Sequence, residues 1–277
     1  MEQRFCCSPS EAGNFNSSEL RSHFLIENLM IPGHLCGVYT HYDRMVVLGA
    51  SPLKDALALP AFGDFTKQEF FLQRREMGII NIGGAGIVKV DGADYTMQPL
   101  DCLYIGMGNR DIGFLSLDAG NPACFYMTSA PAHQSFPVVH VSRTSANAIE
   151  LGDPANCNAR RIYQYIHQDG IKSCQLVMGF TSLKPGNVWN TFPPHVHHRR
   201  MEVYFYFNLP ANGRVCHLMG EPTETRHLFV KNMEAVISPD WSIHAGAGTC
   251  HYNFIWAMAG ENMEFADMDP VGPELIK

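Results

Sequence analysis

Apolar residues along this chain fall in short runs broken by polar turns, a pattern of strands rather than of helices. Met45-Val46-Val47-Leu48 and Gly86-Ile87-Val88-Lys89-Val90 are β-rich, and Asp91-Gly92 supplies the positive-φ pair a tight hairpin requires before Ala93-Asp94-Tyr95 returns. Met201 to Phe207 (MEVYFYF) is dense in β-branched and aromatic residues. Alternation puts Glu202, Tyr204 and Tyr206 on one face of that strand and Val203, Phe205 and Phe207 on the other. One helix is predicted over Ser18 to Leu29, with Ser18 as N-cap and Leu20, Phe24, Leu25 and Leu29 apolar. A second is expected after Ser142 or Ser145. Ala130 to Asn158, richer in Pro, Ser, Asn and His, reads as a linker. The fold class expected is mainly β with few short helices.

An internal echo refines that expectation. Val47-Leu48-Gly49-Ala50-Ser51-Pro52-Leu53 is matched by Val177-Met178-Gly179-Phe180-Thr181-Ser182-Leu183. Arg74-Arg75-Glu76 is matched by Arg199-Arg200-Met201-Glu202, and Phe125-Tyr126-Met127 by Phe254-Ile255-Trp256. All three recur about 130 residues apart, as two fused copies of one β unit would. The expected units are 1–140 and 141–277. On this alignment the first copy keeps Glu76 but has no His-x-His before it and no histidine in Tyr104 to Gly108. The first is then scaffold or interface, and the second carries the chemistry.

Composition narrows the function classes. With 46% apolar and 17% charged residues, the chain of 277 residues is globular. A net charge of −7 without a basic run argues against nucleic acid and anionic membrane as partners. No apolar stretch approaches a membrane span, and MEQRFCCSPSEAGN has no secretory pattern. Nine cysteines without CxxC spacing fit reduced thiols, and with them a cytoplasmic setting; Cys6-Cys7 is expected in an exposed, passive tail.

The chemistry concentrates in His195-x-His197-x4-Glu202, followed by Pro239-x-Trp241-x2-His244. Two histidines spaced by two project from one face of a strand and can reach one ion. Glu202 adds an oxygen and His244 a third nitrogen, a donor set suited to zinc, iron(II), manganese or cobalt. Gly83-Gly84-Ala85-Gly86 lacks the Gly-Lys-Ser/Thr ending and the following helix of a phosphate loop, so a β-turn is expected there.

Antiparallel strands carrying His-x-His…Glu…His resemble the cupin superfamily, although Trp241 and Gly248 stand where its second motif has glycine and asparagine. The match tightens over PPHVHHRRMEVYFYFNLP, GEPTETRHLFV, AVISPDWSIHAGAGT and FIWAMAGEN, together with REMGIINIGGAGIVKVDG and CQLVMGFTSLKPGNVWNT. These resemble the bacterial 5-keto-4-deoxyuronate isomerases across nearly the whole chain. The resemblance implies a tandem cupin (bicupin) jelly roll with one zinc per subunit, ahead of iron(II) or manganese, held by His195, His197, Glu202 and His244. It implies a homohexamer and a small deoxy-ketouronate substrate, 5-dehydro-4-deoxy-D-glucuronate, converted into 3-deoxy-D-glycero-2,5-hexodiulosonate in breakdown of pectin-type uronides. An iron(II) cupin dioxygenase and a non-catalytic sugar-binding cupin are the alternatives.

Other residues are weighed for that reaction. Tyr204 and Tyr206 would line the cavity or fill the barrel. A uronate carboxylate calls for a forked guanidinium, with Arg160, Arg161, Arg199, Arg200 and Arg226 as candidates. Tyr204, Arg161 and Arg200 are taken forward as catalytic candidates. His198 is turned away from the metal by alternation, and Trp241 either walls the pocket or packs in the core.

Overall fold

The computed structural model describes residues 1–277. Contacts divide them into one unit of Met1–Arg4, Asn28–Asn147 and Tyr165–Val177 and a second of Phe5–Glu27, Ala148–Gln164 and Met178–Lys277. A single cut after residue 140 therefore does not describe the division. Phe5–Glu27 belongs with the later residues because Leu25–Ile26 pairs with Val236 and Ala235.

The first unit has a seven-stranded sheet in the order Glu2–Arg4, Leu35–Thr40, Val46–Ala50, Phe125–Pro131, Arg75–Asn81, Cys102–Ile105, Val139–Val141. Its four-stranded sheet runs Leu57–Ala58, Ile112–Ser116, Gly86–Val90, Ala93–Met97. The second unit repeats the plan. Its larger sheet runs Asn147–Leu151, Arg160–Ile166, Val177–Leu183, Asn253–Gly260, Arg200–Phe207, Glu234–Ser238, Leu25–Ile26. Its smaller sheet runs Trp189–Asn190, Ala245–Gly248, Val215–Glu221, Glu224–Val230. The mainly β, tandem cupin expectation holds.

Registers locate the repeat to the residue. Arg75 opens its strand opposite Pro131, as Arg200 opens its strand opposite Gly260. Counting two residues on, the counterpart of Glu202 is Met77, not Glu76. Met77 lies in the apolar cluster with Ile79, Leu103, Ile105, Phe125 and Met127, while Glu76 points to the opposite face. There its carboxylate accepts the backbone N–H groups of Cys174, Gln175 and Leu176, at 2.7, 2.9 and 2.9 Å, and the Tyr104 hydroxyl at 2.7 Å. Glu76 is a structural clasp rather than a relic of a metal ligand.

Several local expectations are corrected. The helix spans Ser17–Phe24, with Asn16 and Glu19 forming a reciprocal capping box, and ends because Leu25 turns extended to join a sheet. The tail contains the strand Glu2–Arg4 and a helix, Pro9–Asn14, capped by Ser8 and Glu11. The supposed linker carries the strands Val139–Val141 and Asn147–Leu151, and Arg143–Ser145 forms a 3-10 turn where a second helix was expected. The hairpin is as read, with φ 47° at Asp91 and 87° at Gly92. Gly83 and Gly84 form a bend; a Cβ on Gly84 would lie 2.0 Å from the Asn121 carbonyl oxygen. None of the nine cysteines is in a disulfide, and no helix is long and apolar enough to cross a membrane.

Candidate metal centre

The second unit brings the four sequence-predicted residues together. Glu202 projects inward from Arg200–Phe207, a strand buried along its whole length. His195 lies on the short strand His195–Val196, held by Asp269–Pro270, and His197 follows it at a turn. His244 immediately precedes Ala245–Gly248. One donor atom from each of the four lies within 4.8 Å of all the others, and His197, Glu202 and His244 are buried.

The hydrogen bonds decide which nitrogens face inward. His197 donates from Nδ1 to the Arg200 carbonyl at 2.8 Å, and its Nε2 lies 3.1 Å from Glu202 Oε2. His244 Nδ1 lies 3.2 Å from Ser238 Oγ and 3.3 Å from the Ser242 carbonyl. Its Nε2 is 3.1 Å from Glu202 Oε2 and 2.9 Å from His195 Nε2. Outer partners of this kind orient metal-binding imidazoles.

Burial pushes the His195 imidazole down to about 2, with the His244 ring adding to the effect. Burial also lowers His244, against the attraction of Glu202. Burial alone would raise Glu202, but the imidazoles of His244 and His197 outweigh it and hold the carboxyl below its ordinary range. Three imidazoles and a carboxylate therefore turn their donor atoms toward one another, an arrangement that a cation satisfies. Three of the separations, 2.9 to 3.1 Å, lie close to the roughly 3.3 Å between neighbouring donors around a tetrahedral ion with ~2.0–2.1 Å bonds. Three nitrogens and one oxygen do not suit calcium, which takes oxygen donors. The cluster fits a first-row divalent metal.

His195 is only partly buried and, with Glu202, opens onto a cavity of about 280 Å³. Trp256 walls it and donates from Nε1 to Thr181 Oγ1 at 3.2 Å. Glycine at 179 makes room for that ring, since a Cβ there would lie 2.4 Å from it. Tyr204 also lines the cavity, its hydroxyl 3.3 Å from Thr191 Oγ1, and burial holds the phenol well above its ordinary value.

The other candidates separate cleanly. Arg161 is outside the cavity: its strand turns Arg160 and Ile162 inward, while Arg161 pairs with Glu150 at 2.8 Å. Arg200 lines the cavity, but its Nη1 and Nη2 donate to the carbonyls of Glu264, Phe265 and Asp267, fixing the segment that contributes Phe265 and Met268 to the wall. Arg199 is occupied by Asp267 and Asp269, and Arg226 by Glu224. His198 is exposed, as read, and Trp241 packs edge-on against Phe24 rather than on the cavity. Tyr206 points inward but bonds His217 Nδ1 at 2.7 Å. Sequence reading missed His217, which is fully buried and pushed down to about 3 by burial and by His244. It also missed the wall from Trp256, which only alternation counted from known strand ends would have found, and Thr191, which lies in a bend outside any strand.

A family model described as the KduI/IolB family matches residues 47–270. The protein of Halalkalibacterium halodurans named 4-deoxy-L-threo-5-hexosulose-uronate ketol-isomerase is 55% identical over 277 residues, covering 100% of both chains. Its namesake from Bacillus subtilis is 51% identical, again over 100% of both. Among solved structures, an IolB-like protein of Salmonella typhimurium LT2 gives a TM-score of 0.72 at 15% identity, covering 90% of this chain and 96% of that one. Bacillus subtilis oxalate decarboxylase, a protein with Mn(II) centres, gives 0.59 at 10% identity, covering 92% and 78%. At such identities these two structures bear on the fold alone. The family match and the full-length relatives go further: this chain belongs to the KduI/IolB family.

Proposed function

We propose that the chain is a ketol-isomerase interconverting 5-dehydro-4-deoxy-D-glucuronate and 3-deoxy-D-glycero-2,5-hexodiulosonate, with zinc held by His195, His197, Glu202 and His244. The observation that carries this reading is the largely buried three-histidine, one-carboxylate cluster opening through His195 into a cavity. The full-length relatives named as ketol-isomerases supply the substrate. The reaction moves a carbonyl by one carbon: a proton leaves C2 and one is added at C1, while the hydroxyl proton passes from one oxygen to the other. Atoms and electrons balance without an oxidant. A divalent ion bound at the cluster supplies Lewis-acid stabilisation of the oxyanion that develops between the two forms.

The chain's own residues do the rest. Tyr204 stays protonated and so acts as a hydrogen-bond donor to a sugar oxygen, not as a base. Trp256, Phe254 and Phe265 exclude water, which strengthens every polar contact inside. Arg200 positions the wall segment through its carbonyls. The hexamer and the role in uronide breakdown belong to the same reading. Incubating the purified protein with the deoxy-ketouronate and following both isomers by NMR tests it. Interconversion without oxygen uptake supports it. Iron-dependent oxygen uptake would indicate a dioxygenase, and binding without turnover a sugar-binding cupin.

A further inference from the structure

The reacting carbons of the proposed substrate lie at one end of a six-carbon chain and its carboxylate at the other. A site that converts it must therefore grip an anion away from the metal cluster. The cavity offers two guanidinium groups, Arg160 and Arg200. Arg200 has its fork committed, with Nη1 and Nη2 donating to backbone carbonyls and only the buried Nε left without a partner. Arg160 makes one hydrogen bond, from Nη1 to the Asn158 carbonyl at 2.9 Å, and no carboxylate pairs with it. Three other candidate arginines have acidic partners: Arg161 has Glu150, Arg199 has Asp267, and Arg226 has Glu224.

Arg160 is also partly withdrawn from solvent. It is half-buried at the start of Arg160–Ile166, and it shares the cavity with His195, Glu202 and Tyr204. A guanidinium that lacks a counter-charge inside a largely apolar cavity is costly unless an anion joins it. Its planar fork matches a carboxylate in two parallel hydrogen bonds.

We infer that Arg160 is the receptor for the substrate's carboxylate, fixing which end of the chain meets the cluster and selecting uronates over neutral sugars. This rests on the ketol-isomerase reading. The test compares kcat/KM for the deoxy-ketouronate and for its methyl ester in the wild-type protein, Arg160→Lys and Arg160→Met, with metal content and thermal midpoint measured for each. The wild type should prefer the acid by about 100-fold, the scale expected for loss of one partner of a sequestered, hydrogen-bonded charge pair. Arg160→Met should turn over both at the ester's rate, abolishing the preference at unchanged metal content. Arg160→Lys should retain part of it, since an ammonium supplies the charge without the fork. Loss of both activities by the same factor in Arg160→Met, or an unchanged acid-to-ester ratio, would overturn the inference and leave the isomerase reading standing. A metal-loaded wild type that converts neither compound would overturn that reading, and this inference with it.

Discussion

At corresponding points of the two large sheets, Met77 stands in one unit's apolar core and Glu202 in the other's histidine cluster. Around Met77 the interior is filled by Leu48, Leu72, Ile79, Leu103, Phe114 and Phe125. Around Glu202 stand His197, Tyr204, Tyr206, His217 and His244, all buried. Strand order is shared, so the backbone plan does not decide which unit holds a polar centre. Inward-facing side chains do. The apolar interior is stable on burial alone. The polar one requires each buried group to find a partner, and three imidazoles and a carboxylate are together a donor set that one metal ion would satisfy.

The comparison can be broken at four points. The largest effect is expected from His244→Ala, which removes one donor and should lower kcat/KM more than about 1,000-fold with loss of bound metal. Circular dichroism should still report a folded β protein. Next, Met77→Glu puts a carboxylate where the first unit has no imidazoles to receive it. It should destabilise that unit by about 4 kcal/mol or more in chemical denaturation without adding a metal site. A gain of a second metal equivalent would show that the two interiors are interchangeable after all.

Glu76→Ala tests the clasp. It strands three backbone N–H groups and the Tyr104 hydroxyl, and a loss of about 3 kcal/mol is expected with metal content unchanged. Metal loss on that substitution would restore Glu76 to a ligand-like role.

The smallest effect concerns pH. His217 has a folded-state value of about 3 against an ordinary 6.5, chiefly through burial. The unfolded chain therefore binds the proton more readily. The contribution of this ring is complete above about pH 6.5 and is lost as pH falls towards about 3. Denaturation midpoints measured across that window should fall less steeply for His217→Gln than for the wild type.

What was legible in the sequence was what local pattern controls. The Asp91-Gly92 hairpin, the strand around Glu202 and the grouping of His195, His197 and Glu202 could be read because periodicity and spacing act over a few residues, while His244 was joined to them by the cupin-like motif. Two errors share one cause. Aligning Glu76 with Glu202, and favouring Arg161 over Arg160, each missed by a single residue, and in a strand that turns the side chain to the other face. Strand ends had to be known before parity could be counted. The helix from Ser17 stopped early for a different reason: Leu25 and Ile26 find partners in Val236 and Ala235, far away in sequence. The wall of the cavity depends on Trp256 passing over Gly179, a contact no local pattern announces.

The central claim is that a divalent ion held by His195, His197, Glu202 and His244 carries the isomerisation. Its most direct test is elemental analysis of the purified protein alongside the uronate assay, before chelation, after it, and after returning zinc. One equivalent of metal per chain, activity lost with the metal and regained with zinc, is the expected result. Full activity in protein stripped of metal would contradict the account.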